Sequence, residues 1–580
     1  MSYLQNDPSD FAEESAAGFV AAHRGLVRRV EGGVARVRAT PPGHVAVVIG
    51  GGSGHYPAFA GLVGPGLAHG AAMGNIFASP SAQQVYSVAR AVATEAGVLL
   101  TYGNYAGDVL NFDQAQDRLR AEGIPCETVC VTDDVASASR AESEKRRGIA
   151  GDLAVFRAAA WAAESGWDLA RVTELATRAN ERTRSLGVAF DGCTLPGATE
   201  ALFHVPEGKM AVGMGIHGEP GIDMVDMHDA RGLADLLVRT LLDERPDGVG
   251  DGGPVAVVVN GLGSVKGEEL FVLYGAVAGL LSDAGFTIVD PEVGEFATSF
   301  EMAGVSLTMT WLDQDLEAAW RSPAYTPAYR KGAVEFDETA EVAPDDAEAT
   351  APGFGDASDE SAAAAPTVLL VLSAISDVID ESCDELGRLD AIAGDGDHGI
   401  GMQRGIHAAV ARAQEAVEAG AGAGYVATSA GDAWANRAGG TSGALWGGAL
   451  RAFGESLGDT EAPTRDGVVA AAKAGIESVQ RSGGAVVGDK TMVDGLVPFG
   501  MALEQAVAAG TSLADAWVTA AGEATRAAEE TSSLLPRKGR ARPHMEKSLG
   551  TPDPGAVSFA MAMTAAAAAL AEAKGKGGKS

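Results

Sequence analysis

Cysteine is scarce in this chain, with four in 580 residues: Cys126, Cys130, Cys193 and Cys383. The first two form a C-x3-C pair with no matching Cys or His pair nearby. That indicates neither a zinc site nor a disulfide framework, and fits a reducing interior. Basic residues are also outnumbered, 43 against 78 acidic ones, for a net charge of −35. Such a chain is a poor partner for nucleic acid or an anionic membrane, although an ATP site needs only a local positive field. No basic and apolar leader opens the chain, and the longest alanine-rich run, residues 560–573, is too short and weakly apolar to span a bilayer. The expectation is a cytoplasmic protein that uses neither membrane nor nucleic acid.

What is present is enough for several cores, since 580 residues exceed a single domain. The clearest boundary is residues 333–366, which carry ten acidic residues and no Lys or Arg. One-sided charge with little apolar content predicts a solvated linker there. Before it, in residues 1–332, apolar runs at 45–49, 97–102, 126–131 and 254–259 read as buried strands alternating with helices such as 81–96 and 230–243. This predicts an α/β domain, with a second lobe from about residue 190. After it, in residues 367–580, apolar residues recur at helical spacing and no strand is evident, which predicts a separate all-α domain.

Three aspartates, Asp390, Asp395 and Asp397, fall within eight residues among glycines. Asp395 and Asp397 leave an extended backbone on the same side. Gathered carboxylates repel one another and invite a hard cation; an oxygen-only set suits Mg²⁺ with substrate phosphate. An EF-hand is excluded because Ile406 stands where the twelfth-position Glu belongs. In the first domain, Gly50-Gly51-Gly52-Ser53-Gly54-His55 follows a strand, and its amides and His55 could surround a small polar ligand or merely form a tight turn. Asp108, after Gly103-Asn104-Tyr105, is either a helix cap or a base for a substrate hydroxyl. Gly213-Met214-Gly215-Ile216-His217-Gly218 matches a dinucleotide fingerprint in spacing, but Pro220 follows at once and no helix opens there. His217, with only glycine backbone about it, is a candidate nucleophile or a structural histidine.

In the helical domain, Gly440-Thr441-Ser442-Gly443 precedes an apolar helix and offers amides to an anion. Residues 483–491 look like a P-loop but place Asp489 before Lys490 and lack a preceding strand, so they are not one. Arg537-Lys538-Gly539-Arg540 is a phosphate clamp or a solvated charge run.

These motifs, in this order over almost the whole chain, resemble the dihydroxyacetone kinase family in its single-chain, ATP-dependent form. The resemblance implies an N-terminal substrate (K) domain of two α/β lobes and a C-terminal nucleotide (L) domain, a barrel of antiparallel helices whose lumen holds a lipid. It implies a ketose held as a hemiaminal on His217, with His55 and Asp108 at its hydroxyls and Gly52, Ser53, Gly54 and Gly103 around it. Mg²⁺ is implied on Asp390, Asp395 and Asp397. ATP is implied on His398, Gly399, Ile400, Gly401, Thr441, Ser442, Gly483, Thr491, Met492, Arg540, Asp553, Pro554 and Gly555, in a homodimer. Tyr56 stands where the dihydroxyacetone enzymes usually carry Glu, and Asn75 where an acid is usual. That variant resembles the erythrulose kinase branch, so erythrulose is the expected substrate and dihydroxyacetone the alternative. A ligand-binding regulator without chemistry is the remaining possibility from another class.

Overall fold

A computed structural model describes residues 4–333, 357–392, 394, 396–538 and 547–577. The chain forms two compact units, Met1–Ala349 and Thr350–Ser580.

The first unit opens with helix α1 (Phe11–Ala22) and a hairpin of β1 (Val27–Val30) and β2 (Gly33–Arg36). Strands β3 (Ala46–Ser53), β4 (Gly70–Ile76), β5 (Val98–Gly103) and β6 (Cys126–Val131) complete a sheet of order β1-β2-β4-β3-β5-β6. Its last four members are parallel, and the hairpin adds an antiparallel edge. Helices α2 (Ala82–Val92) and α3 (Ala106–Ala121) cover one face; α4 (Asp152–Glu164) and α5 (Leu169–Glu181) cover the other. Strand β3 shows how: Ala46 and Val48 enter the core under α2 and α3, while Val47 and Ile49 enter the opposite one. A continuous apolar run is what a strand buried on both faces requires.

The second lobe is a seven-stranded sheet: β7 (Thr183–Asp191), β8 (Lys209–Val212), β9 (Asp223–Asp226), β10 (Gly253–Gly261), β11 (Phe286–Ile288), β12 (Glu292–Gly294) and β13 (Ala303–Trp311). Its centre, β10-β13-β7, is antiparallel. Val255, Val257 and Val259 pack under α6 (Ala230–Asp243) and α7 (Gly267–Asp283), whereas Ala256 and Val258 join the core of the first lobe. The two lobes therefore share one core, and loops from both sheets are held against each other. The lobe starts at Thr183, earlier than composition suggests. The polar start of β7 is hidden in the sequence because its hydroxyls pair across the sheet, Thr183 with Thr310 at 2.9 Å and Ser185 with Thr308 at 2.6 Å.

Among the described residues the second unit is a ring of eight helices, numbered on from α8 (Gln314–Arg321): α9 (Asp359–Asp390), α10 (His398–Glu418), α11 (Ala423–Ala438), α12 (Gly440–Leu457), α13 (Arg465–Gly483), α14 (Val493–Ala508), α15 (Leu513–Glu530) and α16 (Pro554–Gly577). Each packs on the next, and α16 closes against α9. Most connections are too short to span a helix length, and at the two longer ones Gly500 lies against Ile476 and the Asp553 amide donates to the Thr531 hydroxyl, so neighbours run antiparallel. Trp434 stacks on Trp446 at 5.1 Å inside the ring, and Phe499 meets Phe559 and Trp517 edge-on. Two staves, Asp359–Asp390 and Pro554–Ala573, are long and apolar enough to cross a membrane by length and composition. The alanine run at 560–573 is thus part of a longer apolar helix than its own length suggests.

Two expectations change. Helix α9 begins at Asp359, inside the stretch expected to be linker; Ser358 caps it by accepting from the Ser361 amide at 3.1 Å, and its acidic first turn favours a helix start. Helix α10 was hidden by glycines at its start, and Ile406, the residue that excluded a calcium loop, is buried in its core-facing side.

Candidate active site

Strand β3 ends in the glycine loop, where side chains have no room. A Cβ on Gly51 would lie 2.3 Å from the Phe59 ring, and one on Gly52 2.8 Å from the Ala78 amide. The chain turns through Gly54, at φ +102°, and delivers His55 into the interior with its ring stacked 5.0 Å from Phe77. His55 Nδ1 lies 2.7 Å from the Thr298 carbonyl, between β12 and β13. A carbonyl only accepts, so Nδ1 carries the hydrogen and Nε2 presents a lone pair. Burial, then the nearby His217, push the His55 pKa down to about 3, so the ring is neutral in ordinary buffers.

His217 sits in the loop between β8 and β9, and its Nε2 is 3.0 Å from Nε2 of His55. Its Nδ1 donates to Glu219 Oε1 at 2.9 Å, and its amide donates to Glu219 Oε2 at 2.5 Å. Arg147 stands 3.8 Å from Glu219 and is itself anchored to Asp134 at 2.8 Å. Burial alone would raise the Glu219 carboxyl, but His217 and Arg147 hold it down to about 2. With Nδ1–H pinned by a carboxylate, the reactive lone pair belongs to Nε2. The surroundings differ from the bare glycine cage expected: Phe77 and Tyr105 meet the ring edge-on at 5.2 and 4.8 Å. The loop contains no helix start, in agreement with the rejection of a dinucleotide fingerprint.

Asp108 is the third residue of α3, buried, and faces the same small cavity. Gly52, His55, Gly103, Asp108 and His217 thus meet around one space, together with Tyr105 and Asp152. Ser53 and Gly54 instead line an adjoining cavity of about 510 Å³, and the Ser53 hydroxyl is engaged by the Gly74 carbonyl at 2.6 Å. Tyr56 also lines that larger cavity, against Phe19.

Because neighbouring helices alternate in direction, every even-numbered helix of the ring starts at one end, and the motif segments gather there. Asp390 ends α9 and accepts from the amides of Gly396 (2.9 Å) and His398 (3.4 Å). His398, Gly399, Ile400 and Gly401 form the first turn of α10, with His398 Nε2 2.9 Å from Ser558 of α16. Thr441 and Ser442 open α12, Gly483 ends α13, and Thr491 and Met492 lead into α14, where Met492 packs on Gly555. Asp494, absent from the expected set, gathers the Gly488 and Thr491 amides at 2.6 and 2.8 Å. Asp553 precedes Pro554 and accepts from the Ala556 amide; burial, then the charges of Asp494 and Asp390, push it up to about 7. Lys490 donates to the carbonyls of Leu534 and Ser548, so it does not act as a P-loop lysine. Asp395 and Arg540 lie outside the described residues, and no group of three metal-ligating side chains occurs among those described. The donors that are described, Asp390 and Asp397, are oxygen-only and lie among other carboxylates, a set whose chemistry fits Mg²⁺.

Helix N-termini crowded with carboxylates suit a metal-bound phosphate, and a histidine pair beside a buried acid suits a small carbonyl compound; the fold and the two sites are those of a small-molecule kinase. Residues 17–328 match the Dak1 domain and residues 392–568 the DAK2 domain. The chain belongs to the dihydroxyacetone kinase family, with both domains fused. It is 58% identical to an L-erythrulose kinase of Pectobacterium atrosepticum over 97% of this chain and 95% of that protein. It is 53% identical to a D-erythrulose kinase of Mycolicibacterium smegmatis over 97% of both. The crystal structure of the dihydroxyacetone kinase from C. freundii in complex with AMP-PNP and Mg²⁺ aligns at TM-score 0.52 and 30% identity over 99% of both chains.

Sequence reasoning missed Glu219, Arg147, Thr298, Tyr105 and Asp152. Glu219 directly follows the Gly213–Gly218 loop and was legible as an acid two residues from a histidine, and Tyr105 stands three residues before Asp108; Arg147, Thr298 and Asp152 are joined to the site only by the fold.

Proposed function

We propose that the protein phosphorylates a hydroxyl of erythrulose with ATP while the ketose is bound through its carbonyl carbon to His217. The observation that carries this reading is the His217 ring, fixed at Nδ1 by Glu219 with Nε2 free to react, in one cavity with a buried Asp108. The relatives named erythrulose kinases support the four-carbon ketose, and dihydroxyacetone is the second substrate in this reading. In the first step His217 Nε2 bonds to the carbonyl carbon, and the C=O π pair moves onto oxygen. That oxygen takes a proton from solvent water, and the hydroxyl so formed can donate to the lone pair of His55 Nε2. The imidazolium so formed keeps its Nδ1–H on Glu219, whose charge offsets it. Because His55 and His217 are in contact, residues 213–222 must move outward to admit the sugar. Asp108 then accepts the proton of the hydroxyl as its oxygen bonds to the γ-phosphorus and the bond to ADP breaks. A carbonyl is required, so glycerol is rejected.

Asp390, Asp395 and Asp397 would hold Mg²⁺, which when bound neutralises charge on the triphosphate. Helix starts at His398, Gly440 and Pro554 supply amides to the phosphates. The same reading makes the protein a cytoplasmic homodimer, which the four free cysteines suit.

The test is a coupled assay of ADP release with L-erythrulose, D-erythrulose, dihydroxyacetone and glycerol, plus borohydride trapping read by mass spectrometry. Turnover on a ketotetrose, none on glycerol, and an adduct lost in His217→Ala are expected. Turnover on glycerol, or an adduct that persists in His217→Ala, sinks the proposal.

A further inference from the structure

Two polar atoms in the ketose cavity have no work in the steps above. The hydroxyl of Tyr105 and Oδ1 of Asp152 are buried, and neither has a hydrogen-bond partner among the described residues. Both side chains line the cavity of His55, Asp108 and His217. They arrive from different elements: Tyr105 immediately precedes α3, its ring centre 4.8 Å from that of His217, and Asp152 is the first residue of α4. Asp152 is 4% exposed, and its place is fixed by Asp133, whose two oxygens take the amides of Ile149 and Gly151 at 2.8 Å each. A helix start alone would favour an acid here, but not one turned inward beside a second carboxylate. Burial, with the charges of Asp133 and Asp108, pushes the Asp152 carboxyl well up, so its surroundings oppose its charge. Unsatisfied buried groups cost stability, and a fold retains them where a ligand completes them.

We infer that Tyr105 and Asp152 form a hydroxyl-binding subsite for the additional hydroxyl that a ketotetrose has and dihydroxyacetone lacks. The phenol donates to the sugar oxygen, and the sugar hydroxyl donates to Asp152. Tyr105 and Asp152 thereby become specificity-determining residues, distinct from the groups that take the carbonyl and the reacting hydroxyl. This rests on the ketose-kinase reading.

The experiment measures kcat/KM of the full-length protein for both erythrulose enantiomers and dihydroxyacetone in Tyr105→Phe, Asp152→Ala, Asp152→Asn and the Phe/Ala double variant. Each of Tyr105→Phe and Asp152→Ala should lower the ratio of ketotetrose to dihydroxyacetone kcat/KM at least tenfold. Asp152→Asn, which keeps an acceptor oxygen, should lose less than Asp152→Ala. The double variant should lose less than the product of the singles, because both groups hold one hydroxyl. Melting temperatures should stay level or rise, since the substitutions remove unsatisfied groups. A ratio within twofold of wild type, an equal loss on all ketoses, or a lowered melting temperature in both Tyr105→Phe and Asp152→Asn overturns the subsite. Wild-type protein that turns over no ketose refutes the parent reading instead; wild-type protein active on dihydroxyacetone but on neither erythrulose removes the subsite alone.

Discussion

The Nε2 atoms of His55 and His217 stand 3.0 Å apart, although one residue follows a strand of the first sheet and the other lies in a loop of the second. Each ring has its outer nitrogen fixed by a different partner, the Thr298 carbonyl for His55 and Glu219 for His217. Both inner nitrogens therefore present lone pairs to the same small space, with no ring hydrogen between them.

Glu219 should therefore matter for the chemical step more than for ATP binding. Glu219→Gln keeps an oxygen for Nδ1–H but removes the charge that offsets the imidazolium. We expect kcat on ketose to fall roughly 10- to 100-fold with little change in KM for ATP. Steady-state kinetics varying each substrate in turn check this; a change confined to the KM for ATP contradicts it.

Acid should destabilise the first unit in two stages. His55 is held down to about 3 from an ordinary 6.5, so between those values the unfolded chain binds a proton that the native one refuses, and stability drops as pH falls. Glu219 is held down to about 2 from 4.5, so its contribution is present above about 4.5 and is lost as pH falls toward 2. At about 1.4 kcal/mol per pH unit the first stage is worth about 5 kcal/mol and the second about 3 kcal/mol. Denaturant melts should show His55→Gln flattening the pH dependence between about 6.5 and 3, and Glu219→Gln flattening it below about 4.5.

Gly52→Ala should abolish carbonyl capture. Its Cβ would fall 2.8 Å from the Ala78 amide and 2.9 Å from the Phe77 carbonyl carbon, backbone atoms that cannot swing aside. The end of β3 must shift, carrying His55 with it, at a cost of about 1–3 kcal/mol. Loss of the borohydride-trapped adduct together with a lower melting temperature is the expected result.

The helical unit should fail differently. Asp494→Ala leaves the part-buried amides of Gly488 and Thr491 without their acceptor, so stability should fall by about 1 kcal/mol and ATP binding should weaken about tenfold or more. Ketose adduct formation should survive this substitution, and it should also survive chelation by EDTA, which stops phosphate transfer until Mg²⁺ is restored. Calorimetric ATP titration and adduct trapping separate the two effects.

Much of this was legible from residue order. The strands at 45–49, 97–102, 126–131 and 254–259 are apolar on both faces because both faces are covered, and that pattern needs no partner to be read. The helix Ala230–Asp243 stands where its periodicity places it. The stretch at 333–366 reads as linker from its acidic composition, and α9 starts within it at Asp359 because Ser358 caps a helix there. By contrast β7 and α10 were obscure, one because its hydroxyls are satisfied only across the sheet, the other because glycine carries no periodicity.

Local sequence determined the parts: glycine where backbone must come close, helices and strands by the period of apolar residues, carboxylates in a cluster that suits a cation. Which of those parts meet was decided by the tertiary structure. Val258 of β10 packs into the core of the first lobe, and that shared core brings Thr298 and His217 to His55 across separations of 243 and 162 residues. A contact so distant along the chain leaves no periodic trace, because it is set by how two sheets bury their faces against each other rather than by any residue's own preference.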